Sequence, residues 1–517
     1  MKPFAPPPQP SPALREREQS PRVIDVSRNV AVPLSREAGE GEGGGLGAFR
    51  YALIALTLLG AALRLYAAQG DLWLDEIWTL NLLERAHSFG DVFIGLHHDN
   101  NHVANSAWLY LIGPNAPVPL MRLAAIAFGT LAIPAAAAAA ASRRYCGAAG
   151  LIAAFVFATS YFFVHYGSEA RGYAGMTLAV LLAYGLVDAI LAEGASWRRL
   201  LALAAAIGFG TFSHLTMIEA SGALALTAML RFRRSTLGRA VAIGAVAGLA
   251  SLPALFCFAY GALAPDFQVG AMVPLSPAIF AEGVAGMARA TLGFPRGVDD
   301  FALLGAAGLL ALGLLAVLPA ERRVFPAIAV FGLPLLHIAA GLPSQQYPRF
   351  HATAAIGLTL LAAEGCAALY RAGALRRGAA AVLLGAFAIG DAGRLADFYR
   401  DGRGHYADAV KIMAERKEAP YAVDFARGET KAVVAYHARK LGVVATMVSP
   451  AEWCATPPAF LLVVDLPDSL ADHAERRSAG PRDCRADFLR RGYFPASGLS
   501  GFAWTLYERE EVTKSAR

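Results

Sequence analysis

Long apolar runs recur along most of this chain, and a helix that spans a bilayer needs about 20 consecutive, mostly apolar residues. Short polar or basic segments separate the runs, as loops separate membrane helices. We predict eleven spans, the fifth and sixth of them short: 50–68, 119–141, 148–166, 174–192, 199–214, 216–230, 238–260, 301–319, 324–342, 350–370 and 377–396. The expected fold is an all-α polytopic membrane bundle.

The composition excludes several other classes of protein. Hydrophobic residues make up 56% of the 517 residues and charged residues only 17%, whereas soluble globular proteins have about 25% charged residues. An ordinary soluble enzyme, a disordered chain and a collagen-like fibre are therefore excluded. The net charge is +6, but the basic residues lie in short clusters between apolar runs. This pattern indicates orientation in a membrane rather than binding to nucleic acid.

The arginine distribution predicts how the bundle is oriented. If the N-terminal tail is cytoplasmic, thirteen loop arginines lie inside and five lie outside, which is a clear positive-inside bias. An odd number of spans then places the C-terminal region outside. The histidines near the membrane also fall on the outer side. They indicate a polar cavity that opens outward, with anchoring at the interface as the alternative.

Two further regions flank the predicted membrane domain at 49–396. Residues 1–48 are rich in Pro, Ser, Gly, Glu and Arg and are expected to form a disordered cytoplasmic tail. Residues 397–517 contain more charge and are expected to form a small outer α/β domain. Their pattern predicts short strands, such as 459–464, that alternate with helices, such as 405–417 and 429–441. In this domain Cys454 and Cys484 are either a disulfide, if the outside is oxidising, or two free thiols.

Two adjacent carboxylates, Asp75 and Glu76, follow the first span directly and are flanked by Trp73 and Trp78. Burial against apolar rings raises the pKa of a carboxylate toward the range that suits a general base. We therefore predict that Asp75 and Glu76 are catalytic. The alternative is a solvated helix N-terminus with Asp75 as its cap.

The same outer loop continues with a run of polar residues. The run predicts a substrate-binding segment that contains His98, Asp99, Asn100, Asn101 and His102. Because His and Asp are also suitable ligands, a divalent metal site is an alternative. A further alternative is an ordinary polar loop in which Asn and Asp cap helices.

Ionisable residues also lie at the outer ends of the third and tenth spans, and such residues at membrane depth are functional candidates. Glu169, Arg171 and Tyr173 follow the third span, and Arg349 precedes the tenth. The planar guanidinium fork suits arginine to a phosphate, so we predict that these four residues bind substrate. An ion pair between Glu169 and Arg171, and interfacial anchoring by Arg349, are the alternatives.

Taken together, these segments resemble the lipid-dependent GT-C glycosyltransferases. More narrowly they resemble family 39 relatives: protein mannosyltransferases, aminoarabinose transferases of lipid A and Rgt-like bacterial enzymes. The resemblance rests on Asp75-Glu76, on Ser-Glu-Ala-Arg-x-Tyr at 168–173 and on Tyr-Pro-Arg-Phe at 347–350. It extends over about residues 50–396. The chain departs from many relatives at 98–102, where they have a His-x-Pro type of sequence.

This resemblance implies a GT-C-like bundle of about eleven helices in the inner membrane of a bacterium, with its active site facing the periplasm. It implies transfer of a sugar from a polyprenyl-phosphate donor to a lipid, glycan or protein acceptor, with inversion. Asp75 would be the base, and Glu76 would orient it or contact the sugar. Arg171 and Arg349 would hold the donor phosphate. Membrane lipids are expected partners and nucleic acid is not.

Two other functions fit parts of the sequence. One is a transporter or flippase for a lipid-linked or anionic solute, but such proteins place charged or broken helices at the midplane of the membrane. Here the ionisable residues concentrate at the outer ends of the spans, which favours chemistry at the surface. The other is a polymerase or ligase of surface polysaccharide, for which a reactive first loop is not expected.

Overall fold

The computed structural model describes residues 43–141, 147–270, 272–415, 420–423, 430–449, 451–465 and 474–510. Most of the predicted tail, residues 1–42, therefore lies outside the described residues.

Within the described residues, eight helical segments are long and apolar enough to cross a membrane. They are α1 (Gly43–Ala67), α6 (Leu123–Ala140), α9 (Tyr173–Glu193), α12 (Leu237–Ala262), α14 (Asp300–Val317), α15 with α16 (Ala320–Ala327 and Leu333–Ala339, joined by a π-helical turn), α17 (Ala352–Arg371) and α18 (Ala374–Asp401). Large apolar side chains such as Leu249 and Leu309 are exposed on these helices, as expected of a surface that faces lipid. The predicted polytopic helical bundle is confirmed.

The remaining three predicted spans are shorter helices. They are α7 (Ala148–Thr159), which α8 (Tyr161–Tyr166) follows, α10 (Trp197–Ser213) and α11 (Met217–Arg231). The predicted 148–166 span is interrupted at Ser160, whose backbone is extended. The interruption is stabilised because the Ser160 hydroxyl donates to the Thr291 carbonyl (2.9 Å) and Asp391 Oδ1 accepts from the Tyr161 N–H (2.7 Å). Helices α10 and α11 are the fifth and sixth spans, which were predicted to be short. Among the described residues it is the third span that differs from the prediction, because it is divided into α7 and α8.

Short helices lie between the spans: α2 (Leu74–Leu83), α3 (Asp91–Ile94), α4 (Val103–Ile112), α5 (Val118–Met121) and α13 (Pro277–Leu292). Helices α2, α3 and α4 lie in the predicted first outer loop, and α5 lies at the start of the predicted second span. A 3₁₀ turn, Pro348–His351, leads into α17.

The C-terminal region forms the predicted small α/β domain. It contains α19 (Tyr406–Ala414), α20 (Thr430–Lys440) and the strands β1 (Pro420–Val423), β2 (Thr446–Val448), β3 (Phe460–Asp465), β4 (Arg476–Ala479), β5 (Ala486–Phe494) and β6 (Ala503–Arg509). The strands form one sheet in the order β2-β1-β3-β6-β5-β4, in which β1 is parallel to β2 and β3 and the other pairs are antiparallel. Cys454 and Cys484 form a disulfide, which answers the question that the sequence left open.

The two domains share a hydrophobic core around α2. Leu72, Trp73 and Ile77 pack in the same buried cluster as Tyr406 and Trp504 of the C-terminal domain. Helix α18 continues to Asp401, beyond the boundary predicted at 397, and the chain leaves it at Gly402 with a positive φ of 61°. The helix that contains both predicted catalytic carboxylates is therefore fixed between the membrane bundle and the outer domain.

Candidate active site

Asp75 and Glu76 lie in the first turn of α2, where the N–H groups of the helix favour negative charge. Both side chains are buried. Helix α2 begins after Trp73, so Asp75 is inside the helix and is not its cap. The two carboxylates contact different partners, and we distinguish their roles by these contacts.

Glu76 is fully occupied by structural contacts. Its two oxygens accept from Arg122 Nε (2.8 Å) and Nη2 (2.6 Å), a bidentate ion pair in which both residues are buried. They also accept from the backbone N–H groups of Trp73 (3.2 Å) and Ala170 (2.8 Å). Arg122 in turn donates to the carbonyls of Ala68 and three following residues. Glu76 therefore joins α2 to the start of α6 and to the segment before α9.

Asp75 lies between two arginines that are far apart in the sequence. Its Oδ2 forms an ion pair with Arg171 Nη1 and lies 3.7 Å from Arg349 Nη2. Both guanidinium groups are largely buried, with 5% and 14% of their side chains exposed. One carboxylate is thus shared by two cations, and these three residues together have a net positive charge.

Arg171 is oriented by two residues of the predicted substrate-binding segment. Its Nη1 donates to Asn100 Oδ1 (2.6 Å) and its Nη2 lies 2.8 Å from His102 Nε2. Asn100 also donates from Nδ2 to the Asp75 carbonyl (2.9 Å). Because arginine is only a donor, His102 accepts at Nε2 and is neutral. Burial and the positive charge of Arg171 hold the pKa of His102 well below its ordinary value, which keeps this acceptor intact at neutral pH.

Arg349 is surrounded by aromatic rings. Its guanidinium carbon lies 4.4 Å from the ring centre of Tyr347 and 5.6 Å from those of Trp73 and Phe350. These distances are typical of cation–π contacts, which fix the direction of a guanidinium group without using its N–H donors. The N–H groups of Arg349 therefore remain available to donate hydrogen bonds to an anion.

Glu169 does not pair with Arg171, so that alternative is wrong. Its Oε1 accepts from Trp73 Nε1 (2.8 Å), and its Oε2 accepts from the Ser500 hydroxyl (3.1 Å). Burial alone would raise the pKa of Glu169, but the contact with His165, whose Nε2 lies 3.5 Å from Oε2, and the charges of nearby arginines outweigh burial and lower it. Glu169 is therefore an ionised residue that supports Trp73.

Tyr173 lies beside the arginine cluster, with its ring centre 5.6 Å from the Arg171 guanidinium carbon and 4.3 Å from the ring centre of His214. It forms part of the wall next to Arg171.

The other residues of the 98–102 segment support the loop itself. His98 Nδ1 lies 2.8 Å from Asp99 Oδ1, Asp99 Oδ2 accepts from the Gly270 N–H (3.1 Å), and Asn101 donates to the Val92 carbonyl (2.9 Å). Among the described residues, no group of three or more His, Cys, Asp or Glu side chains is arranged to hold a metal ion. Within this segment Asn100 and His102 contact Arg171, whereas His98, Asp99, Asn101 and His102 line an adjoining pocket.

An open pocket adjoins the cluster and shares His98 and His102 with it. Its other walls include Phe212 at the end of α10 and Cys257 and Phe258 of α12. Polar groups of the outer loop and apolar groups of a membrane helix thus line the same space, which suits a molecule with a polar head and an apolar tail.

Three residues that shape this site were not predicted from the sequence. Arg122 could have been recognised from the sequence, because it is an ionisable residue inside a predicted span. Trp73 was noted only as a flank of the carboxylates. Ser500 gave no signal, since a lone serine in a small α/β domain is unremarkable by residue type and spacing.

Comparison with solved structures finds several similar chains, among them an ArnT and an oligosaccharyltransferase. ArnT from Cupriavidus metallidurans bound to undecaprenyl phosphate is 12% identical with a TM-score of 0.49, and the match covers 92% of this chain and 100% of that one. The Archaeoglobus fulgidus oligosaccharyltransferase in complex with Zn and sulfate is 14% identical with a TM-score of 0.44, and the match covers 77% of this chain and 62% of that one. No protein-family model and no curated protein matches the sequence. Because both TM-scores are below 0.5, the function is inferred from the site itself.

Proposed function

We propose that this protein is a membrane glycosyltransferase that moves a sugar from a polyprenyl-phosphate donor to an acceptor hydroxyl on the outer, periplasmic face. The observation that supports it best is the buried Asp75 carboxylate between Arg171 and Arg349. These are the groups that such a reaction needs: a base for the acceptor and cations for the leaving phosphate. The class of donor comes from the sequence resemblance, and the acceptor is a lipid, a glycan or a protein.

The charges of Asp75 and its two arginines explain how the polyprenyl-phosphate sugar would bind. Asp75 neutralises only part of the charge of its two arginines, so a phosphate that enters between them meets a net positive site. The planar guanidinium fork of Arg171 and the available N–H groups of Arg349 match the oxygens of the phosphate. As the phosphate takes over these contacts, the Asp75 carboxylate is released from them. Donor binding therefore leaves the Asp75 carboxylate available to the acceptor hydroxyl.

In this proposal the released carboxylate is the general base. Asp75 accepts the proton of the acceptor hydroxyl as its oxygen forms a bond to the anomeric carbon. The bond from that carbon to the phosphate oxygen breaks, and the negative charge on the polyprenyl phosphate is stabilised by Arg171 and Arg349. A single displacement of this kind inverts the anomeric centre. Glu76 acts indirectly, by fixing the start of α2 through Arg122.

The surroundings of the site fit a lipid-linked donor. The pocket lined by His98, Phe212 and Phe258 places apolar side chains of a membrane helix beside the polar loop, so a lipid donor has a route from the membrane. The Cys454–Cys484 disulfide is consistent with an outer domain in an oxidising periplasm.

The test uses purified protein in lipid nanodiscs with a panel of radiolabelled polyprenyl-phosphate sugars and crude envelope acceptors. We expect release of polyprenyl phosphate that falls by roughly 10²-fold or more in Asp75→Asn, because the general base is lost. Donor affinity should persist in Asp75→Asn and fall in Arg349→Ala. The matched control is Asp91→Asn, a partly exposed carboxylate in the same outer region whose Oδ2 accepts from the backbone N–H groups of His87 and Ser88.

Equal release by Asp75→Asn and wild type would remove Asp75 from the mechanism. No release from folded wild-type protein across the panel would contradict the transferase proposal, and transport in proteoliposomes would then be measured.

A further inference from the structure

A loop of the outer domain, residues 496–502, enters the membrane domain behind the proposed active site. Ser497 and Ser500 are 5% and 4% exposed. The Tyr161 hydroxyl donates to the Ser497 carbonyl (2.6 Å), and His165 Nε2 lies 2.7 Å from the Ser500 hydroxyl. Both partners belong to α8, the helix that follows the interruption at Ser160. The loop is therefore buried against membrane-domain side chains and is not an exposed connection.

The loop fits its surroundings closely. Gly501 has a positive φ of 107°, and a Cβ atom there would lie 1.8 Å from the Arg403 carbonyl oxygen. A Cβ atom at Gly498 would lie 2.4 Å from the Ser500 carbonyl oxygen. Arg403 itself donates to the carbonyls of Ala67 (3.0 Å) and His165 (2.7 Å). The loop therefore has little freedom to place Ser500 anywhere else.

Ser500 is the first residue of a path to the proposed phosphate site. Its hydroxyl donates to Glu169 Oε2 (3.1 Å), and Glu169 Oε1 accepts from Trp73 Nε1 (2.8 Å). The face of the Trp73 ring lies against the guanidinium group of Arg349. Because Glu169 is an acceptor only, Ser500 donates to it and accepts from His165. Both hydrogen bonds in this path are buried, so water does not readily replace one that is lost.

We propose that Ser500 is a positioning residue for the transferase, supplied by the outer domain, and that it acts through Glu169 and Trp73 on the phosphate ligand Arg349. This inference rests on the proposed function for the role of Arg349, but not for the path itself. It gives the outer domain a function: the site is complete only when the 496–502 loop is in place.

The test compares Ser500→Ala with Ser497→Ala in the full-length protein. Both variants remove one buried hydroxyl from the same loop, but the Ser497 hydroxyl donates to Asp401 (2.5 Å) and does not contact Glu169. Two quantities are measured. The first is the affinity for polyprenyl phosphate. The second is the ¹⁹F resonance of Trp73 in protein labelled with 5-fluorotryptophan, assigned by its loss in Trp73→Phe.

We expect Ser500→Ala to weaken polyprenyl-phosphate binding about tenfold, the size of a lost hydrogen bond to a charged group, and to shift the Trp73 resonance. Ser497→Ala should leave both unchanged even if it lowers the unfolding temperature. Glu169→Gln interrupts the same path from its other side and should shift the same resonance.

An unchanged Trp73 resonance in Ser500→Ala would overturn the inference, as would equal shifts in both serine variants. A shifted resonance in a protein that binds no polyprenyl phosphate in any form would support the path and contradict the proposed function. The two failures are therefore distinguishable.

Discussion

At the scale of single residues, Asp75 and Glu76 show how two neighbouring carboxylates acquire different roles. Asp75 contacts Arg171 and Arg349, whereas Glu76 is bonded to Arg122 and to backbone N–H groups. A carboxylate whose lone pairs are all used cannot accept a proton from a substrate without breaking those bonds. We therefore assign Glu76 a supporting role and keep Asp75 as the proposed base.

This assignment predicts different effects for the two conservative substitutions. Glu76→Gln removes the charge that balances the buried Arg122, and loss of one partner of such a pair costs up to about 3–5 kcal/mol. We expect a markedly lower unfolding temperature in micelles, with unchanged polyprenyl-phosphate affinity for the protein that remains folded.

The control for this substitution is Glu84→Gln at the end of the same helix, where the carboxylate is 50% exposed and pairs with Arg439 at 3.2 Å. Exposed pairs contribute little, so its unfolding temperature should match that of wild type. A Glu76→Gln protein of normal stability that fails to release polyprenyl phosphate would instead place Glu76 in the reaction.

Residue chemistry predicted part of this site and not its arrangement. The guanidinium fork and the outer location of Arg171 and Arg349 were sufficient to propose both as phosphate ligands. Their contact with the same oxygen of Asp75 depends on the packing of distant helices, which no spacing in the sequence reveals. The proximity of Glu169 to Arg171 was misleading, because Glu169 bonds to Trp73 and Ser500 instead.

At the scale of elements, the short segment between α8 and α9 holds Arg171 against the end of α10. A Cβ atom at Gly172 would lie 1.6 Å from the Ser213 carbonyl oxygen and 2.9 Å from His102 Nδ1. Both neighbours are close to Arg171, and one of them is its hydrogen-bond partner. Only glycine allows this close approach of the two backbones.

Gly172→Ala is therefore expected to push this segment away from α10 and to disturb Arg171. We expect release of polyprenyl phosphate to fall at least about tenfold, the effect of losing one charged hydrogen bond. The matched control is Gly185→Ala in the middle of α9, where a Cβ atom would meet nothing within 4 Å. That variant should retain activity and gain up to about 1 kcal/mol of helix stability. Normal activity in Gly172→Ala would show that the segment tolerates displacement.

The helices themselves were largely predictable, because apolar runs of spanning length are read directly from the sequence. The break at Ser160 was not predictable. The apolar run continues through it, and the groups that stabilise it, Asp391 and the carbonyl of Thr291, lie far along the chain. Such a break is determined by tertiary hydrogen bonds and not by local propensity.

At the scale of the whole molecule, composition predicted that the C-terminal region is a separate domain but not how it is joined to the bundle. Its sheet requires nonlocal pairs such as Val464 with Trp504. Its core includes Leu72 and Ile77 of the first outer loop, and its 496–502 loop reaches α8. Because the strand pair joins residues about 40 positions apart and the other contacts join segments hundreds of residues apart, no local pattern indicates them.

The orientation of the molecule rests on arginines, and two of these also have a packing role. Arg322 is bonded to Glu364 and Asp188, and Arg231 is bonded to Asp188. Such residues are explained by their ion pairs as well as by the positive-inside bias. The arginines at 198, 233, 234, 376 and 377 are exposed or partly exposed, and they remain the better indicators of the inner side. A direct measurement of orientation is therefore worthwhile.

The proposed orientation predicts opposite labelling of two thiols by a membrane-impermeant reagent in sealed right-side-out vesicles. Both variants are made in a Cys146→Ser background. Replacing Cys484 by serine breaks the disulfide and leaves Cys454 as a free, exposed thiol of the outer domain. This thiol should react at once in sealed vesicles. A cysteine introduced by Arg198→Cys, beside the exposed start of α10, should react only after the vesicles are permeabilised. If only the Arg198→Cys thiol reacts in sealed vesicles, Asp75 faces the cytoplasm and the proposed transferase would have to use donors on that side. The expected pattern would instead place Asp75 and its two arginines on the face where the disulfide is stable.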